Sequence, residues 1–200
     1  MPDYRYENEA AILGYKYVCG VDEAGRGPLA GPVCAAAVIL PEGLYIEGLN
    51  DSKKLTEKKR EVLFDVIKEK ALCFNIAFAS VAEIEELNIL NATYLAMNRA
   101  IEGLSQKADF ALIDGNRVPT DIKIPCKTVI KGDALSCSIA AASVLAKVTR
   151  DRLMSNLDSK YDIYNFKKHK GYGTKEHTEL ISKYGPSDIH RLSFLKNILK

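Results

Sequence analysis

Apolar and polar positions divide the chain into short blocks, several of which stop on an acid or a glycine. Residues 17–22 read as a strand and residues 33–40 as a second. The glycine-rich stretch between them reads as the connection of an extended hairpin. Residues 56–70 put Val62, Leu63, Val66 and Ile67 on one helical stripe. Leu72, Phe74, Ile76 and Phe78 then alternate, as a strand facing a core does. Ser80 precedes Glu83 by three positions, the spacing of a capping box, so a helical region is expected to begin there and run through Tyr94, Met97 and Ile101. Residues 110–113 form a buried-strand pattern that stops at Asp114-Gly115. Residues 128–131 form a shorter one that stops before Gly132-Asp133. An alanine-rich helix is expected over 134–152, its small side chains allowing close approach to a sheet. Residues 160–200 read as short basic helices with loops around Gly171, Gly173 and Gly185-Pro186.

Early strands followed by helices alternating with further strands predict an α/β domain with a mixed central β-sheet flanked by helices. At 200 residues, 47% hydrophobic and 27% charged, the chain can bury a core as one domain. Its longest apolar run, residues 33–40, is far short of the ~20 residues of a membrane span. The polar opening MPDYRYENEA carries no apolar signal-peptide region, and a cytoplasmic location with no membrane contact is expected. Five cysteines without a C-x-x-C pair argue against a disulfide framework and a thiolate zinc site. The net charge of +2 conceals an asymmetry: residues 160–200 hold nine Lys/Arg against four Asp/Glu, so a basic end follows an acidic remainder. That distribution is compatible with a polyanionic partner and equally with a solvated surface.

Asp22, Glu23, Asp114 and Asp133 share one feature: each lies where an apolar segment ends. Ends of neighbouring strands meet in space, so these carboxylates are expected to converge on one sheet edge. Gathered acids repel one another unless a cation compensates them, and hard oxygen ligands in such number select Mg²⁺ or Mn²⁺. A pair of such ions serves phosphoryl displacement. Neighbours on a regular strand face opposite ways, so a shared site for Asp22 and Glu23 requires that the alternation break at Glu23, or that Glu23 act through its carbonyl. Each acid also has an ordinary reading. Asp114-Gly115-Asn116 is a turn sequence, Asp133 suits the N-cap of the following helix, and Asp22-Glu23 could be surface charge on a hairpin. The spacing Gly25-x-Gly27-x-x-x-Gly31 is wrong for a dinucleotide loop, with Pro28 interrupting it and a strand instead of a helix following. Gly25 and Gly27 would let main chain approach a sugar or phosphate, and Arg26 adds charge.

The motif Asp22-Glu23-Ala24-Gly25-Arg26-Gly27-Pro28-Leu29-Ala30-Gly31-Pro32-Val33 resembles bacterial ribonuclease HII. So do Asn50-Asp51-Ser52-Lys53-Lys54-Leu55, Ile113-Asp114-Gly115, Lys131-Gly132-Asp133, Ser138-Ile139-Ala140-Ala141-Ala142-Ser143, Ala146-Lys147-Val148-Thr149-Arg150-Asp151, His169-Lys170-Gly171-Tyr172-Gly173-Thr174 and His190-Arg191-Leu192-Ser193-Phe194. The order holds over nearly the whole chain. The resemblance implies a ribonuclease H-like core over residues 1–155 and a basic helical C-terminal extension over 156–200 packed on it, in a monomer. It implies a metal-dependent endoribonuclease that cuts the RNA strand of RNA-DNA hybrids and single ribonucleotides embedded in duplex DNA, leaving 3′-hydroxyl and 5′-phosphate. Asp22, Glu23, Asp114 and Asp133 would then hold two Mg²⁺ or Mn²⁺ ions. Gly25, Arg26 and Gly27 would read the ribose 2′-hydroxyl through backbone contacts. Tyr172, placed between two glycines, would pack on the sugar of the following deoxynucleotide. Lys53, Lys147 and Lys170 are phosphate-contact candidates. His169 and His177 form no recognisable zinc pair and are expected in loop or surface roles. The Gly-Arg-Gly motif and short N-terminus favour this class over the related ribonuclease HIII.

Two rival functions follow. A nucleic-acid-binding module without chemistry would shift a duplex without nicking it. A general metal-dependent nuclease or phosphatase would cut a deoxy control as readily as a ribonucleotide.

Overall fold

The computed structural model describes residues 1–199. The chain opens with helix α1 (Arg5–Ile12), whose polar sequence gives no clear stripe and which the pattern reading missed. Strand β1 (Val18–Ala24) turns through the glycine-rich segment into β2 (Val33–Ile39), and the two pair antiparallel, the hairpin the sequence predicts. After a 3-10 turn (Ser52–Lys54), α2 (Glu57–Lys70) begins on the Thr56 hydroxyl, which accepts from the Lys59 amide. Strand β3 (Cys73–Ala79) excludes Leu72, which is exposed at the strand's start. The capping box at Ser80 and Glu83 forms as its spacing predicts and opens α3 (Val81–Glu102). Within α3, Asn88 adopts φ 68°, and its side chain caps the resumed helix by accepting from the Leu90 and Asn91 amides.

Strand β4 (Phe110–Asp114) ends on its acid, as expected. Strand β5 is Cys126–Val129, two residues earlier than the apolar run at 128–131 suggests. Its register is set by pairing of Ala111 with Cys126, while Ile130 is exposed and Lys131 turns into the left-handed region at φ 58°. The long helix α4 is Cys137–Leu157, not 134–152: Ala134 belongs to the 3-10 turn Gly132–Ala134, and the Ser136 hydroxyl caps α4 by accepting from the Ile139 amide. Asp133 is therefore not the cap. Short helix α5 (Phe166–His169) and α6 (Lys175–Tyr184) follow.

The sheet order is β3-β2-β1-β4-β5, with β1 parallel to β4, β4 parallel to β5, and both β2 pairs antiparallel. Cys19, Val21, Ala35, Ala37 and Ile113 pack with α3 on one face, and Cys34, Ala36 and Val38 pack with α2 and α4 on the other. Alanine-rich α4 lies close to the sheet, as its composition predicts. At Gly20 an added Cβ would fall 2.1 Å from the Ser138 carbonyl carbon, so only glycine permits this approach. Among the described residues no helix is long and apolar enough to cross a membrane.

Candidate active site

The parallel pairing of β1 with β4 matches Val18 with Phe110 and Val21 with Ile113, so one more step along each strand sets Asp22 beside Asp114. Alternation places both on the face covered by α4 and leaves Glu23 on the α3 face. The strand does not break at Glu23, since the pairing continues through Glu23 with Ala35 and Ala24 with Cys34, which leaves its carbonyl as the expected route to a site shared with Asp22. Asp22 and Glu23 thus flank the sheet's end from opposite sides. The Glu23 carboxylate accepts from Arg26 at 3.2 Å and borders a cavity of about 380 Å³ that Asp114, Thr93, Tyr94 and Asn116 also line.

Asp133 reaches this edge through the turn after β5. The Gly132 amide donates to Asp114 Oδ1 at 2.7 Å, tying the two loops together, and a Cβ at Gly132 would lie 2.6 Å from Ile139 Cδ1. From the other side comes Lys53, whose ammonium stands 3.5 Å from Asp133 Oδ2. Its turn is pinned by the hydrogen bond between the Ser52 and Ser143 hydroxyls and by Arg60, which donates to the Ser52 and Leu55 carbonyls. Lys53, a candidate phosphate contact in the sequence, here pairs with one of the four acids.

The acids perturb one another. Asp22 is buried, and burial, then Glu23 and Asp114, raise its pKa well above the ordinary carboxylate range. The Glu23 carboxyl is raised by burial against the pull of Arg26. Asp133 is raised by burial and by the charges of Asp114 and Asp51, Lys53 opposing. Burial alone would lower the Lys53 ammonium, but Asp22, Asp133, Asp51 and Asp114 outweigh it and hold it above its usual value. Asp51 is thus a fifth acid at this edge that the sequence reading left out, although it adjoins Lys53 in the same motif. Asp22 Oδ1 accepts from the Glu23 amide at 2.7 Å, while its Oδ2 is buried without a hydrogen-bond partner. Among the described residues no three His, Cys, Asp or Glu side chains are already gathered tightly enough to hold a metal ion.

The glycine-rich loop lies beside these acids and is braced from below by two buried arginines. Arg191 donates to the carbonyls of Gly25 (2.6 Å), Arg26 (3.0 Å) and Gly31 (2.7 and 2.9 Å). Arg150 donates to those of Ala30, Pro32 and Lys170. Because a trans peptide points its N–H opposite its C=O, carbonyls turned inward at Gly25 and Arg26 leave the Arg26 and Gly27 amides facing away from Arg191. Both residues are exposed, and among the described residues neither amide donates a hydrogen bond. Gly25 sits at φ 98°, and a Cβ there would meet Arg150 Nε at 2.0 Å. Burial, and then Arg150, push the Arg191 pKa down to about 9, which leaves it charged at neutral pH.

Tyr172 adjoins the same loop. The Leu29 amide donates to the Gly171 carbonyl at 2.8 Å, and a Cβ at Gly171 would fall 2.7 Å from the Ala30 oxygen. The Tyr172 ring is 40% exposed and faces Lys147 Nζ at 5.4 Å from its centroid. Lys147 itself pairs with Asp151 at 2.8 Å, and Lys170 Nζ donates to Ser155 Oγ and the Lys167 carbonyl, so both ammonium groups are engaged internally. The expectation for His169 and His177 fails: with His190 they form a buried cluster under Tyr172. Short basic helices conceal such burial, because the apolar cover of His177 comes from Phe166 of the preceding helix, contacted edge-on, and not from its own helix.

Compared with solved structures, the chain matches a ribonuclease H2 from Pyrococcus horikoshii OT3 with TM-score 0.74 and 28% identity, over 92% of this chain and 97% of that one. A ribonuclease HIII solved in complex with Mn²⁺ matches in fold, with TM-score 0.70 at 16% identity over 92% of this chain and 69% of that one. The mixed sheet with helices on both faces is thus a ribonuclease H-like fold, and the protein is of the ribonuclease H class of enzymes. The model of the family described as Ribonuclease HII matches residues 19–197. A Ribonuclease HII from Caldicellulosiruptor saccharolyticus is 57% identical over 98% of this chain and 96% of its own length. The chain belongs to the ribonuclease HII family.

Proposed function

We propose that this enzyme hydrolyses the RNA strand of RNA-DNA hybrids and the phosphodiester at single ribonucleotides in duplex DNA, leaving 3′-hydroxyl and 5′-phosphate. The observation that carries the reading is Asp22 Oδ2, a buried carboxylate oxygen without a partner, on an acid whose pKa burial and the neighbouring Glu23 and Asp114 raise, beside a loop with outward amides. An arrangement so unfavourable for the protein alone fits cations. Asp22, Asp114 and Asp133 would hold them through their carboxylates, and Glu23, whose side chain takes the other face, through its carbonyl. Bound there, two Mg²⁺ or Mn²⁺ ions would neutralise the acids and polarise water and the leaving oxygen for in-line displacement. The chain's own part is recognition and orientation. The Arg26 and Gly27 amides can donate to a sugar hydroxyl or phosphate oxygen, Arg26 supplies an exposed cation, and Tyr172 offers a ring face to a neighbouring sugar. Lys53, within reach of Asp133, keeps one edge of the cluster charge-balanced before substrate arrives.

Incubation with Mg²⁺ or Mn²⁺ and a duplex carrying one ribonucleotide should give a single nick, and the all-deoxy duplex none. Cutting of both would make the enzyme a general nuclease; a shifted but intact duplex would make it a binder only. Asp133→Asn keeps shape and removes one charge, so turnover should fall by about 10²-fold or more while duplex binding in the absence of cleavage stays within about twofold.

A further inference from the structure

The buried histidines form a chain of hydrogen bonds whose direction is dictated by their partners. His177 Nδ1 lies 2.9 Å from the Tyr172 carbonyl oxygen, which can only accept, so Nδ1 carries the proton. His177 Nε2 therefore accepts, and His190 Nε2, 3.0 Å away, donates to it. His190 Nδ1 is then the acceptor that the Ser187 amide and hydroxyl require at 2.9 and 2.8 Å. His169, stacked on His177 with centroids 4.3 Å apart, donates from Nε2 to the Tyr164 carbonyl and accepts the Gly171 amide at Nδ1. All three rings are neutral with both nitrogens satisfied. Burial holds His177 and His190 near a pKa of about 4, which keeps them so at working pH.

One end of this chain is anchored on the glycine loop. The Arg191 amide donates to the Leu29 carbonyl and the Gly31 amide to the Ile189 carbonyl, so His190 is held between two backbone bonds to that loop, and the Arg191 side chain grips Gly25 and Arg26. The other end holds the main chain of Tyr172. We propose that His177 and His190 are positioning residues for recognition of an RNA–DNA junction: their relay fixes Tyr172 relative to Gly25-Arg26-Gly27 and thereby sets the preference for a ribonucleotide followed by a deoxynucleotide. This rests on the reading of Tyr172 and the loop as substrate contacts. Any buried histidine must find partners for its nitrogens; what points to spacing is that this path ends on Tyr172 at one side and on the glycine loop at the other.

The test is a double-mutant cycle read as the ratio of kcat/KM on a single embedded ribonucleotide to kcat/KM on a long RNA-DNA hybrid. A stability defect lowers both terms and leaves the ratio unchanged. His190→Ala should lower the ratio by about tenfold, since small misplacement of a contact group is costly, and His190→Gln, which can still donate to His177 Nε2, should recover most of it. In a Tyr172→Ala background His190→Ala should lower the ratio no further. The proposal is overturned if Tyr172→Ala shifts the ratio while His190→Ala does not, or if the two effects add. If Tyr172→Ala itself leaves the ratio unchanged, it is the reading of Tyr172 as a junction contact that fails, and the relay's role falls with it. Should His190→Ala lack a cooperative melting transition, His177→Leu, which keeps apolar bulk but can neither donate to the Tyr172 carbonyl nor accept from His190, enters the same cycle with the same two outcomes.

Discussion

The acidic sheet edge and the basic brace beneath the glycine loop treat buried polarity in opposite ways. At the edge, like charges crowd, pKa values rise and one oxygen of Asp22 has no partner. In the brace, Arg150 and Arg191 are fully buried without a carboxylate, yet each makes at least three hydrogen bonds to main-chain carbonyls, and the histidines beside them close every donor on an acceptor. The first region is held in place by rigid strands and is itself unfavourable. The second is satisfied and does the holding. On the proposed function, the edge keeps its unmet electrostatics where cations and a phosphate would come, while the scaffold around it is satisfied internally.

The strongest way to break this comparison is Arg191→Ala. It leaves the buried carbonyls of Gly25, Arg26 and Gly31 without their donor and should lower unfolding stability by about 3 kcal/mol or more in urea titration. A loss below that of an ordinary surface substitution would mean that the brace is ornamental. Asp22→Asn should do the reverse at pH 7. Its raised folded pKa means that the ionised form is disfavoured in the native state, so the neutral isostere should raise Tm while cleavage falls by about 10²-fold or more. A lower Tm would place Asp22 with the satisfied groups.

Acid sharpens the contrast, because the two regions titrate with opposite sign. His177 and His190 have folded pKa values of about 4, below the roughly 6.5 of an unfolded histidine. Their contribution is whole above the unfolded value and is lost progressively as pH falls from there to about 4. Asp22, Glu23 and Asp133 have raised folded values, so their protonation on acidification favours the native state and offsets part of that loss. Stability measured in urea at stepped pH should therefore fall more steeply in Asp22→Asn than in the parent protein. A shallower fall would contradict the assignment. The smallest effect concerns the basic side chains: Arg26→Gln should reduce the salt dependence of duplex binding by about one unit of slope, and Lys147→Gln by less, because Lys147 is mostly covered and held by Asp151 at 2.8 Å while Arg26 is half-exposed.

Much of the architecture was legible beforehand, and the reasons are local. The capping box at Ser80 and the hairpin between β1 and β2 depend on neighbours in sequence and formed, as did the helix over 57–70, although its buried face takes Phe64 with Leu63 and Ile67 and leaves Val62 exposed. Where long-range pairing sets the bounds, the pattern slipped: β5 moved to match β4, and α4 started only where Ser136 could cap it. The four acids could be picked out because each closes an apolar run, and the family motifs carried them further. Asp51 was passed over beside Lys53. Arg150, Arg191 and the histidines gave no signal as supports, since a basic residue in a basic segment looks like solvated surface until the fold covers it.

The sequence by itself determined most of the strands and helices, α1 and the bounds of β5 and α4 excepted, because periodicity and capping act over a few positions. Only the tertiary structure decided that Asp22 and Asp114 share a face while Glu23 takes the other, and that Arg191 reaches back across the chain to turn the carbonyls of Gly25 and Arg26 inward. Those facts follow from strand register and from the burial of polar groups that must find partners, and such partners can lie anywhere along the polymer.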